Sequence, residues 1–346
     1  MKNRIFTFNN FFVHCWYNSF ASIVCENETY LNWIYKNSFN WVYEEKPKKN
    51  LFNWNDSKFY CIRTDNIFEE LDKVLEIQSP KLDGDVSKLL ESNLIEGKYI
   101  FVLCDRFYQS GHFEYNKIHN YHYSLVYGFD SEKRIYHILS DCQVQDQIEK
   151  WDISMDSFMQ SKIMADNVQL GVKEFEQNIY IIRKKDNLSQ CNYELNVKDI
   201  IKNCSDILCK KNENDNVFYG VEAISKLADN VIEIIEREIN KERLIKKLAS
   251  SFAIAANNEI RNKLLCKVLF NNNVMKEKDY EQLIIKFQKL KEKWDTLYLL
   301  VIKLVTLSDM SIANKIKKRL LEMCDLELDA NACFREILEN SCKEEM

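Results

Sequence analysis

The chain has 346 residues, with 48 basic and 53 acidic side chains, and 46% of its residues are apolar. These proportions suit a folded protein of about two domains and exclude wholesale disorder. Only 6 glycines and 2 prolines argue against collagen-like chains and glycine-rich phosphate loops. A net charge of −5 argues against a nucleic-acid binder, which needs a basic face.

Lys2 and Arg4 precede a rather apolar stretch from Ile5 to Val24. Asn9, Asn10, His14 and Asn18 interrupt it, and no small-residue cleavage pattern closes it, so no leader is expected. No uninterrupted apolar run of about 18 residues occurs, so no membrane span is expected. Residues 1–185 read as a mixed α and β domain. The segment from Cys15 to Cys25 suits a buried helix. Asn66 to Glu69 resembles a capping box, with Leu71, Val74 and Leu75 continuing at helical spacing. Strands are predicted over Lys98 to Cys104, Tyr121 to Phe129, Ile135 to Leu139 and Asn178 to Ile182, with a short helix from Ser154 to Ser161. Lys184 to Asn196 is polar and aperiodic and marks the domain boundary.

From residue 197 to 346 the pattern is helical throughout. Val217, Phe218, Val221, Ile224 and Leu227 recur every three to four residues, as do Leu244, Leu248 and Phe252, and then Leu283, Phe287, Leu290, Trp294 and Leu297. Short polar breaks at Asn271–Asn273 and Ser308–Asp309 predict an antiparallel helical bundle. The expected class is therefore α+β: an N-terminal domain with an antiparallel sheet, then an all-α domain.

The 12 cysteines are scattered without a CxxC pair. That scatter argues against structural zinc, and the length argues against a disulfide scaffold. Most are expected to be small buried hydrophobes in a reducing, cytoplasmic setting. Cys15 differs from the others. A polar approach precedes it and an apolar helix follows, so orphan N–H groups and the helix dipole would favour its thiolate.

Five histidines are available for acid–base work. His14 adjoins Cys15 in sequence and would point away from it. His122 is favoured by a hairpin argument. If the loop after Phe129 centres between Ser131 and Glu132, residue 122 opposes Asp141, and His137 opposes Val126 as a packed ring. An aspartate at that range orients an imidazole. His112 and His119 lie in an aperiodic segment, on the substrate side. Asp105, at a strand end, is expected as a turn former there, with binding an amine or positioning a loop as the functional alternatives.

Together these segments resemble a known family. His14-Cys15-Trp16, Cys104 to Tyr108, His122 to Asp130, Ile135 to Asp141 and Phe218 to Ile224 resemble, in order and spacing, the butirosin biosynthesis protein H-like family. That family is related to papain-like and C39-peptidase folds, and the amide-forming enzyme of closthioamide assembly is of similar type. Such a resemblance implies a papain-like catalytic domain and an acyltransferase of antibiotic or nonribosomal-peptide biosynthesis. It would take an acyl group from the phosphopantetheine thioester of a carrier protein and pass it to a small-molecule amine. It further implies Cys15 as nucleophile, His122 as general base and acid, and Asp141 as orienting carboxylate. Asn9 or Asn10 would stand where papain-like enzymes carry an oxyanion-binding glutamine, and Asp105 and His119 would be substrate-binding. Neither a cofactor nor a metal is implied, and no nucleic-acid or membrane partner. The basic runs Lys46 to Lys49 and Lys315 to Arg319 are docking candidates for an acidic carrier, and otherwise solvated faces. Two alternatives stay open: a cysteine peptidase or thioesterase on the same triad, and a non-catalytic interaction protein.

Overall fold

A computed structural model describes residues 2–3, 5–13, 15–26, 28–36, 41–44, 63–64, 74–80, 85–141, 147–167, 179–185, 195–209, 217–238 and 242–344. The class is α+β, with antiparallel sheets and a mostly helical C-terminal region. The chain divides into two units, Met1–Leu31 with Asn66–Asn192, and Asn32–Asp65 with Tyr193–Met346.

The first unit contains helix α1 (Cys15–Val24) and the beginning of α2 (Glu28–Lys36). It continues with strand β3 (Leu75–Gln78), helix α3 (Val86–Ile95), strands β4 (Tyr99–Asp105), β5 (Tyr121–Asp130), β6 (Ile135–Ser140) and β7 (Glu149–Ser154), helix α4 (Met155–Asn167) and strand β8 (Ile179–Lys184). Six strands form one antiparallel sheet in the order β3-β8-β4-β5-β6-β7. All seven residues of β4 are buried. This explains its continuous apolar run, since a strand covered on both faces has no reason to alternate. Leu90 and Leu94 of α3, Ile100, Val102, Val126 and Ile138 of the sheet, and Phe158 of α4 share one core. Trp16 of α1 packs edge-on against Phe101 and Tyr123, each with ring centroids 4.7 Å away. Asp85 caps α3 by accepting the Ser87 N–H at 3.0 Å.

The second unit has a three-stranded sheet, β2 (Arg63–Thr64), β1 (Trp41–Glu44) and β9 (Val217–Tyr219), in that order. Its helices are α5 (Val197–Cys209), α6 (Gly220–Glu238), α7 (Glu242–Asn271), α8 (Glu277–Leu307) and α9 (Ser311–Glu344). Residues 283, 287, 290, 294, 297, 301 and 304 of α8 are all buried, one apolar stripe along the helix. Gly220 opens α6 at φ +58°, and a Cβ there would lie 2.0 Å from the Ile207 carbonyl oxygen. Only glycine fits such a left-handed, close-approach position.

The predicted strands and the α1 and α4 helices are present, within a few residues at their ends. Four differences have physical causes. Leu75, expected in a helix, starts β3, because Leu75 and Ile77 pair with Lys184 and Ile182 of β8; the capping-box segment before it lies outside the described residues. Val217 and Phe218, expected in a helix, form β9 against β1. Asn32–Asp65, expected in the first domain, belongs to the second unit, where Trp41 packs on Trp294 at 5.7 Å. The β5–β6 turn is centred one residue later than expected: Asp130 opposes Ile135 and Gly128 opposes His137. After an irregularity, Val126 opposes Ile138 instead of His137.

Candidate functional site

Cys15 is the first residue of α1. The chain leading to it is fixed by Asn18, a fully buried amide inside that helix. Asn18 donates to the carbonyls of Phe8 (3.0 Å) and Phe11 (2.7 Å) and accepts the Val13 N–H (3.0 Å). Ser22, one turn on, accepts the Phe8 N–H at 2.9 Å. Thus two buried polar residues of a largely apolar helix hold the preceding loop, as buried backbone groups require partners.

Cys15 Sγ lies 3.1 Å from His122 Nε2. His122 stands near the start of β5, directly opposite Cys104 of β4. Asp141 Oδ1 is 3.5 Å from His122 Nδ1. The two residues expected to be cross-strand partners are thus adjacent, but not through the expected ladder. The last β5–β6 pair is Leu125 with Leu139, and Asp141 has already left the strand. Outside the pleat its side chain is free of the alternation that a one-residue slip would impose.

Arg106 was not foreseen. It follows β4 directly, is 5% exposed, and opens a short 3-10 turn, Arg106–Tyr108. Its Nη2 lies 2.6 Å from His122 Nδ1 and pairs closely with Asp141 Oδ1, while Nη1 is 3.6 Å from Glu114 Oε1. Glu114 is held in turn by the Asn120 amide at 2.6 Å. The one local hint was a cation next to Asp105 at the end of a buried strand, where a charge needs a partner, and it did not say which partner.

Burial pushes the Cys15 thiol well up, and the Asp141 charge adds to this. Arg106 and the N–H groups of Trp16 and Cys15 work in the opposite direction. Burial also lowers His122; Asp141 raises it and Arg106 lowers it. His112, 7% exposed, is lowered by burial to about 4, with Arg106 contributing. Free thiol beside neutral imidazole is therefore the favoured resting pair.

The other expected site residues are placed differently. Asn9 is exposed, and its amide is spent on a reciprocal pair with the Ile148 backbone, N–H to Oδ1 and Nδ2 to carbonyl, both at 2.9 Å. Asn10 is exposed. Asp105 is completely buried and accepts the Phe107 N–H (3.1 Å), the Asn120 N–H (3.3 Å) and His119 Nδ1 (2.6 Å). Its bonds serve the loop-positioning role and leave it no access to a substrate amine. The half-exposed His119 ring stacks on Phe107 at 4.3 Å. His137, 9% exposed, bonds Asp152 at 2.5 Å. In the basic run of α9, Lys315 and Lys318 are exposed and Arg319 pairs with Glu322 at 2.6 Å. Lys46 to Lys49 and His14 lie outside the described residues.

Cys15, His122 and Asp141 offer donor atoms within 4.8 Å of one another, a spacing that also suits a cation. Arg106 opposes that use, because its guanidinium already occupies Asp141 and faces the ring. The arrangement suits nucleophilic chemistry: a sulfur at a helix N-terminus, an imidazole in contact with it, and an anchored carboxylate behind. No protein-family model matches the chain, and a comparison with curated proteins finds no match.

Proposed function

We infer that the protein is a cysteine-nucleophile acyltransferase on a papain-like N-terminal domain. It takes an acyl group from a carrier-protein phosphopantetheine thioester and passes it to a small-molecule amine. The observation that carries this is the 3.1 Å contact between Cys15 Sγ, at the start of a helix, and Nε2 of His122 on an antiparallel sheet. A helix-borne cysteine facing a sheet-borne histidine is the division of labour expected of a papain-like site, and the motif order read from the sequence supports the choice of acyl donor.

In the first half-reaction the Cys15 sulfur forms a bond to the acyl carbon and the carrier's carbon–sulfur bond breaks. One thioester replaces another, so little free energy separates the two. In the second, the amine attacks the acyl-Cys15 carbonyl, the carbon–sulfur bond breaks, and the amine's surplus proton passes to the departing Cys15 sulfur, which returns to the thiol beside His122. Backbone N–H groups at the start of α1 are the oxyanion donors in this scheme, since the Asn9 amide is engaged elsewhere. Aminolysis must outrun hydrolysis, which requires a held amine and excluded water.

The test is a product assay with an acyl carrier-protein thioester, with and without a panel of small amines. Amide formation that exceeds free acid and disappears in Cys15→Ala is the expected result. Free acid at a rate indifferent to amine would replace the transferase with a thioesterase.

A further inference from the structure

We propose that Arg106 is a positioning residue that decides which nitrogen of His122 carries the proton: its guanidinium donates to Nδ1, so the neutral ring bears its hydrogen on Nε2, toward Cys15. The chemical use made of this below rests on the acyltransfer reading; the geometry does not. A guanidinium has five donors, no acceptor, and stays charged. With Arg106 Nη2 at 2.6 Å, Nδ1 must be the acceptor, since two N–H groups cannot face each other at that distance. The competing role for Nδ1 is to donate. Its nearest acceptors are the Tyr123 carbonyl at 3.0 Å and Asp141 at 3.5 Å, both farther away, and Asp141 is already taken by the same guanidinium.

The charged and titratable groups around the ring are Arg106, Asp141, Glu114, His112 and the Cys15 thiol. Arg106 lowers both the imidazole and the thiol, and Asp141 raises both. Asp141 is the larger influence on each, and the guanidinium offsets part of it. The guanidinium is the side-chain charge that favours a Cys15 thiolate against that of Asp141.

This division fits thioester exchange. The bond from Cys15 Sγ to the acyl carbon forms, the carrier's carbon–sulfur bond breaks, and the electron pair departs on the carrier sulfur. The proton that Cys15 gives up is taken by the departing carrier sulfur, so a thiol enters, a thiol leaves and none stays on the ring. The Nε2–H donates to whichever sulfur is negative, while Arg106 stays in place.

The test is the nitrogen NMR spectrum of the full chain labelled at histidine, with the pH profile of Cys15 alkylation by iodoacetamide. In the wild type at neutral pH, His122 shows protonated Nε2 and unprotonated Nδ1. Arg106→Gln moves the proton to Nδ1, raises the titration of His122, and shifts Cys15 alkylation upward by about one pH unit, about tenfold slower at fixed pH. Arg106→Lys, which keeps the charge without the fork, holds the alkylation profile near wild type but loses the Nε2–H form. A protonated Nδ1 in the wild type, or an unchanged tautomer in Arg106→Gln, overturns the proposal. Should Arg106→Gln fail to fold, the wild-type spectrum decides alone. The spectrum needs no substrate, so an Nε2–H ring in a protein that never takes up an acyl group would remove only the transferase reading.

Discussion

Asn18 shows how much a single buried amide does for this site. Its three bonds to residues 8, 11 and 13 set the path by which the chain reaches Cys15. Each backbone group left without a partner in the interior costs about 1–3 kcal/mol. Asn18→Leu is therefore expected to lower stability by at least that amount in chemical denaturation, with faster hydrogen exchange beginning at residues 8 to 13. His122 has a different signature. His122→Ala should fold normally, because the ring is partly exposed, yet slow acyl uptake by about 10²–10⁴-fold, the usual contribution of a positioned acid or base. Stopped-flow or quenched single-turnover kinetics would measure it. Cys15 and His122 were legible in the sequence because a polar-to-apolar switch and a strand with a single histidine near its start are local signals. Asp141 was legible for an imperfect reason, since the ladder that suggested it is offset. Arg106 was not legible as a site residue because its partner Asp141 is 35 positions away, and Asn18 was not because its bonds go to backbone groups of an aperiodic loop.

At the level of elements, helix starts and strand ends carry the consequential chemistry. Gly220 is one such point: Gly220→Ala would place a methyl group against the Ile207 carbonyl at positive φ. A loss of more than about 1 kcal/mol is expected, read as a lower melting temperature of the helical unit. The helices of that unit also bury a polar knot. Glu327 accepts from Trp294 Nε1 (3.1 Å) and Asn331 (3.0 Å), Glu259 accepts from Asn262 (3.0 Å), and Arg261 bonds the Tyr35 carbonyl (2.9 Å). Burial raises Glu327 from 4.5 to about 7, and it raises Glu259 too, with repulsion from Glu327 adding to the latter. A carboxyl raised on folding binds its proton more tightly when folded. Its stabilisation is full below about 4.5 and is lost as pH rises through about 7. The melting temperature should therefore fall between pH 5 and 8, and Glu327→Gln should flatten that slope. The helical periodicity of this unit was plain in the sequence. The pairing of β1 with β9, which joins Val42 to Tyr219, was not, because no local pattern encodes a contact between segments so far apart.

For the whole molecule, the sequence conveyed the change from mixed structure to helices but not the transfer of residues 32–65 to the second unit. Periodicity is a property of single segments, whereas unit membership depends on which segments pair. The acyl donor is likewise a matter of the whole surface. On the acyltransferase proposal, a net charge of −5 would make an acidic carrier approach a locally basic area and be repelled elsewhere. Transfer from a carrier-bound thioester should therefore slow as salt rises, whereas transfer from free pantetheine thioester should not, because screening acts on the docking of charged surfaces. Parallel rate measurements across an ionic-strength series would show the divergence.

The most direct measurement of the central claim is the intact mass of the protein after mixing with an acyl-pantetheine thioester, on wild type and Cys15→Ala. The account predicts a gain of one acyl group in wild type alone, discharged on adding an amine. An adduct that persists in Cys15→Ala, or none in wild type across several acyl groups, would contradict it.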